Sequence, residues 1–222
     1  MNAPETCLLA CELPAECDRK PDAALIGKLA PDLREWVLGK RRARDQWASV
    51  VGRLLLMEAL RALGAANVRL GDLGRRPDNS PMIPPPFAGS IAHTTEMVVA
   101  AAASRGAIGV DLEAGARARR HADEVATFFT ASERSVLQGD REGWRMTFVE
   151  IWTRKEALAK ASGRPLDVVF GQPVMEDALT FDGRAWNLSS LPLARDHCCA
   201  IAWDHRPLQP AFSKLALASL VG

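Results

Sequence analysis

Ile108-Gly109-Val110-Asp111-Leu112-Glu113 and, further along, Trp152-Thr153-Arg154-Lys155-Glu156-Ala157-Leu158-Ala159-Lys160 are the stretches whose reading decides the fold. The first reads as a buried strand. Side chains alternate along a strand, so Asp111 and Glu113 share one face and Leu112 takes the other. The second reads as a helix, in which Glu156 and Lys160 lie one turn above each other. Carboxylates and a cation gathered in this way suit a hard divalent ion holding a phosphate-bearing substrate.

Each feature also has a plainer reading. Asp111 and Glu113 could be solvent-facing acids at a strand end. The residues before them, Ala107-Ile108-Gly109-Val110, are all apolar or glycine, and two carboxylates after such a run repel each other unless a cation sits between them. Glu156 and Lys160 could be an exposed helix pair, worth about 0.3 kcal/mol. Lys155 is less easily dismissed, because Phe148, Ile151, Trp152, Leu158, Ala159 and Ser162 place it within the apolar stripe of its helix. A bound phosphate is one natural partner; alternatively its stem lies along the core and its head reaches water.

Working outward, Trp47, Val50, Val51, Leu54, Leu55, Ala59 and Leu63 predict an amphipathic helix from about residue 44 to 63, closed by Gly64 in a left-handed conformation. Prolines at 77, 81, 84, 85 and 86 mark a loop over 71–89. Residues 97–103 and 107–112 are apolar runs separated by Ser104-Arg105-Gly106, the signal of a hairpin. Thr130-Ala131-Ser132-Glu133 is a capping box, and Phe128-Phe129 before it would pack the helix start against the core. A long helix is expected from Trp144 to Ser162, ending at Gly163, then strands near 168–170, 178–181, 185–188 and 197–203. Residues 1–35 read as short pieces broken by Pro4, Pro14, Pro21 and Pro31, and the tail after Pro207 as weakly structured.

A faint echo joins the halves: a long helix ending at glycine (Gly64, Gly163), then an Ala/Val-rich strand preceded by histidine (His93, His197). The expected class is therefore α+β, with two similar α/β lobes related by a pseudo-two-fold. Each lobe would be a small, mostly antiparallel sheet packed with a long helix, the lobes spanning residues 1–104 and 105–222 with a site at their seam.

Composition narrows the function classes. The 48% hydrophobic and 25% charged content is ordinary for a globular protein, and a net charge of +1 exerts no global pull on nucleic acid or membrane. The chain has 22 arginines against six lysines; arginine is the better bidentate partner of phosphate, although a high-GC genome gives the same bias. Five cysteines without paired spacing do not form a disulfide framework and suit a reducing, cytoplasmic location. No apolar run is long enough to span a membrane, and no signal peptide is evident. Arg34, Lys40, Arg41, Arg42 and Arg44, and later Arg117, Arg119 and Arg120, are basic clusters. They suit a solvated face, a nucleotide phosphate or an acidic partner protein.

Taken together, the motifs resemble the larger, surfactin-synthetase-activating (Sfp-type) class of phosphopantetheinyl transferases. That class has a V/I-G-V/I-D-x-E strand, then a phenylalanine-led motif ending in glutamate, then W-S/T-x-K-E-A/S-x-x-K. Here Ile108–Glu113, Phe128–Glu133 and Trp152–Lys160 stand in that order. The resemblance covers about residues 30–205.

By position, the resemblance implies that Asp111, Glu113 and Glu156 hold Mg²⁺ and that Glu156 and Lys160 are catalytic. Lys160 and Lys155 would neutralise the pyrophosphate of coenzyme A. His93 matches the histidine of the class's S-H-S segment, which here reads Ala92-His93-Thr94. The G-K-P loop of the class reads Asn79-Ser80-Pro81 here, without lysine; Arg75 or Arg76 could replace it. Arg53, in a G-R pair of the first long helix, could reach the 3'-phosphate. The implied protein is a monomer that binds coenzyme A and an acyl or peptidyl carrier protein. A metal-dependent phosphodiesterase and a catalytically impaired carrier-protein-binding module are the alternatives.

Overall fold

The computed structural model describes residues 4–115, 122–140, 142–194, 196–205 and 211–221. In chain order the elements are β1 (Thr6–Glu12), α1 (Ala23–Gly27), α2 (Pro31–Leu38), α3 (Ala43–Ala62), β2 (Ala88–His93), β3 (Met97–Ala103), β4 (Ile108–Ala114), α4 (Ala122–Ala126), α5 (Ala131–Gly139), α6 (Trp144–Ser162), α7 (Leu166–Val169), β5 (Ala178–Phe181), β6 (Arg184–Ala194), β7 (His197–Trp203), β8 (Ala211–Lys214) and α8 (Leu217–Val221). They form two compact units, one of residues 1–106 with 208–222 and the other of residues 107–207. Among the described residues no helix is long and apolar enough to cross a membrane.

The first unit is a four-stranded sheet in the order β2-β3-β1-β8. Alternation decides which side chains line its core. Cys11 pairs with Val98, Leu9 with Ala100 and Cys7 with Ala102, and all six lie in one buried cluster with Val51, Leu55 and Ala59 of α3. Another stripe of α3, carrying Val50 and Leu54, packs on Leu29, Leu33 and Val37. Burying each large aliphatic side chain contributes about 1.5–3 kcal/mol, which is why α3 is helical along its whole predicted length.

The second unit is a four-stranded antiparallel sheet in the order β4-β7-β6-β5, with α6 packed on β4 and β7. Thr130 and Glu133 form the expected capping box of α5. Gly163 ends α6 at φ 67°, a left-handed conformation that glycine adopts without a Cβ penalty. Phe129 is buried as expected, but Phe128 is 62% exposed.

Four expectations are corrected. The apolar runs around Ser104-Arg105-Gly106 are not a hairpin: β3 pairs with β1 and β2, whereas β4 pairs with β7, so this turn links two sheets. Residues 97–103 and 107–110, on either side of the turn, are all apolar or glycine, so pattern alone could not choose their partners. Residues 168–170 do not form a strand; Pro165 caps the start of α7 and overrides the β preference of Val168-Val169-Phe170. Thr6–Glu12, read as a fragment between prolines, is a central strand of the first sheet. Finally, the tail is structured and the second lobe does not run to residue 222. Ala211–Lys214 pairs in parallel with β1, and Leu217 is buried in the first unit's core.

Candidate active site

The chemistry concentrates on one face of β4. Gly109, Asp111 and Glu113 share this face by alternation, and glycine at 109 lets α6 approach closely. A Cβ there would stand 2.2 Å from the carbonyl oxygen of Ala157 and 2.5 Å from the backbone nitrogen of Ala161. The same close approach brings Lys160 to Asp111, with Nζ donating to Oδ1 at 2.6 Å. Gly109→Ala is therefore expected to cost about 3 kcal/mol or more in urea denaturation, because the added methyl meets helix backbone that cannot rotate away.

Asp111 is 6% exposed, and its second oxygen, Oδ2, is buried without a hydrogen-bond partner. Glu156, one turn before Lys160 on α6, is half-buried. Burial pushes its carboxyl above the ordinary value of 4.5; the nearby charge of Asp111 adds to the rise and Lys160 opposes it. Asp111, Glu156 and Lys160 therefore act on one another. Glu113 lies on the same strand face but is more exposed than Asp111, and among the described residues no group of three or more His, Cys, Asp or Glu is gathered as a preformed metal cage. A buried, unpartnered Asp111 oxygen beside a like-charged carboxylate fits a divalent cation. Mg²⁺ suits such a site because it commonly takes one or two carboxylates and completes its shell with water and substrate phosphate.

Lys155 does not fit the role expected of it. Its side chain is 0% exposed, and its ammonium donates to Glu133 at 2.9 Å and to the carbonyls of Phe170 at 3.0 Å and Gln172 at 2.7 Å. An ammonium has three donors, so all are used within the protein. Its buried partner is neither phosphate nor water but Glu133, which also accepts from the backbone nitrogens of Thr130 and Val174. Burial holds the Lys155 ammonium below its ordinary pKa, against the pull of Glu133.

In the first unit, Arg53 is 5% exposed, donates to the carbonyl of Gly74 at 3.3 Å and leaves Nε buried without a partner. Burial lowers its pKa to about 10; Asp32 opposes the shift and neighbouring Arg75 adds to it. Arg75 also has an unpartnered buried Nε; its backbone nitrogen donates to Asp32 and its guanidinium lies over the Trp36 ring, which Lys40 also covers. Arg76 is exposed, with its backbone closing a turn to Ser80. His93 is exposed at the end of β2. Arg117, Arg119 and Arg120 lie outside the described residues.

The contacts of Asp32 and Trp36 with Arg53, Arg75 and Lys40 are not legible in the sequence, because neither residue sits in a recognisable spacing. Gly109 reads as part of a strand, and a glycine inside an apolar run is the signal of close backbone approach. Glu133 was read as a helix cap, and nothing in its spacing shows that its carboxylate also receives Lys155.

Residues 107–203 match the family model described as 4'-phosphopantetheinyl transferase superfamily, and residues 37–103 match the 4'-phosphopantetheinyl transferase N-terminal domain. A Synechocystis sp. protein named "Putative 4'-phosphopantetheinyl transferase slr0495" is 29% identical over 130 residues, covering 51% of this chain and 52% of that protein. The chain thus spans about half the length of the curated relative it matches.

Proposed function

We propose, on these matches to the 4'-phosphopantetheinyl transferase superfamily, that the chain moves the phosphopantetheine arm of coenzyme A onto a serine hydroxyl of an apo acyl or peptidyl carrier protein. The reading is of an Sfp-type, holo-acyl-carrier-protein synthase activity that depends on Mg²⁺. The observation that carries it is the Asp111–Lys160 pair, with the second Asp111 oxygen buried and unpartnered beside Glu156.

Asp111 and Glu156, with Glu113 on the same strand face, would hold Mg²⁺, which supplies Lewis-acid stabilisation of the pyrophosphate charge. Lys160 adds a positive charge next to them. Burial and the Asp111 charge raise the basicity of the Glu156 carboxylate, which suits it to accept a proton. The serine oxygen attacks the β-phosphorus as its proton passes to Glu156. The bond from that phosphorus to the bridging oxygen breaks, and 3',5'-ADP leaves with the electron pair. Arg53 and His93 are assigned to coenzyme A. Arg75, with its unpartnered Nε next to Arg53, suits the role of the missing loop lysine better than exposed Arg76. The five buried, unpaired cysteines suit a reducing compartment, and we read the protein as a cytoplasmic monomer.

The test is incubation with coenzyme A, Mg²⁺ and an apo carrier protein, followed by intact-mass spectrometry. A gain of about 340 Da on the carrier, the mass of the transferred arm, supports the reading. Coenzyme A cleavage without that gain indicates the phosphodiesterase reading, and neither outcome sinks both. Arg53→Met should weaken coenzyme A binding by about 10–100-fold, the worth of a charge-assisted hydrogen bond, without lowering the melting temperature. Calorimetric titration and thermal melts check the two halves of that expectation.

A further inference from the structure

We infer that Glu133 and Lys155 form a positioning pair, fixing the rotation of α6 so that Glu156 and Lys160 face Asp111, and that Lys155 does not touch the substrate. This rests on the transferase reading and changes the role of a cation that motif resemblance assigns to pyrophosphate. Three observations carry it. Every Lys155 donor is used by Glu133, Phe170 and Gln172. Neither side chain has measurable exposure. Glu133 is tied in turn to Thr130 at the start of α5 and to Val174 beyond α7. Lys155 thus joins α6 to two other segments at a point one residue before Glu156.

Adjacent residues on a helix project about 100° apart. With Lys155 held in the core, Glu156 is turned onto a different face, and Lys160 follows one turn later. An unanchored α6 could rotate or slide, and small misplacements of reacting groups cost rate out of proportion to their size. A phosphate could reach Lys155 only by displacing a buried carboxylate or two carbonyls from it.

The experiment compares wild type with Glu133→Gln, Lys155→Met and the double variant, measuring kcat and KM in carrier modification and coenzyme A affinity by calorimetry. A positioning pair predicts that each single change lowers kcat by about tenfold or more, with the KM for coenzyme A within about threefold of wild type. The two changes should also be non-additive, the double variant being no worse than Lys155→Met alone. If Lys155→Met does not fold, Glu133→Gln and the double variant give the same readout. A large rise in KM and loss of coenzyme A affinity on changing Lys155, with Glu133→Gln behaving as wild type, overturns the inference. If wild type binds coenzyme A without modifying any carrier, the transferase reading fails. Coenzyme A affinity then decides the role of Lys155 alone: retained in the double variant it supports the inference, lost it overturns it.

Discussion

Lys155→Met lowers the stability of the protein by about 3–5 kcal/mol, the cost of removing one partner of a buried ion pair. The carboxylate of Glu133 stays behind with 0% side-chain exposure. It keeps its bonds from the Thr130 and Val174 nitrogens but loses the ammonium that neutralises it. The carbonyls of Phe170 and Gln172 lose a donor at the same time. Adding Glu133→Gln removes the uncompensated charge but keeps an acceptor for only one of the two backbone nitrogens, which reach different carboxylate oxygens, so the double variant recovers part of the loss. Urea denaturation of the three proteins provides the check. Were Lys155 an exposed phosphate ligand, its loss would fall within about 0.5 kcal/mol of wild type.

Glu156→Gln abolishes carrier modification and stabilises the metal-free protein. Both effects come from one geometry. Removing the proton acceptor and metal ligand costs activity by about 10²-fold or more. The stability effect follows from linkage. The native state raises the Glu156 pKa above its ordinary 4.5, so it binds this proton more tightly than the unfolded chain does. The contribution of this group to stability is full below that ordinary value and is lost as pH rises through the raised one. Glutamine has no such loss. The melting temperatures of wild type and Glu156→Gln should coincide in acid and separate towards neutral pH, with the variant higher. Retained activity, or a variant less stable at neutral pH, contradicts the assignment of this side chain.

Much of this was legible in the residues themselves. Long amphipathic helices announce themselves through period and caps, and α3, α5 and α6 begin and end close to the signals at Gly64, Thr130 and Gly163. The alternation of Asp111 and Glu113 needed no structure to read. Pairing partners were not legible, because β1 and β3 are buried along almost their full length and carry no polar face to set register. For the same reason the link at Gly106 resembled a hairpin. The Lys155 partner was hidden because Glu133 lies 22 positions away in sequence, and a capping glutamate looks the same whether or not it also receives a buried lysine. Arg53 was recognisable only by resemblance; its burial and its orphaned Nε emerge from packing against Gly74.

The most direct test of the central claim is a Mn²⁺ titration followed by electron paramagnetic resonance, with and without coenzyme A. If the orphaned Asp111 oxygen and Glu156 share a divalent cation completed by pyrophosphate, wild type takes up one Mn²⁺ per chain, tightly only when coenzyme A is present. Asp111→Asn and Glu156→Gln then each release it. Unchanged Mn²⁺ uptake in both variants would contradict the account.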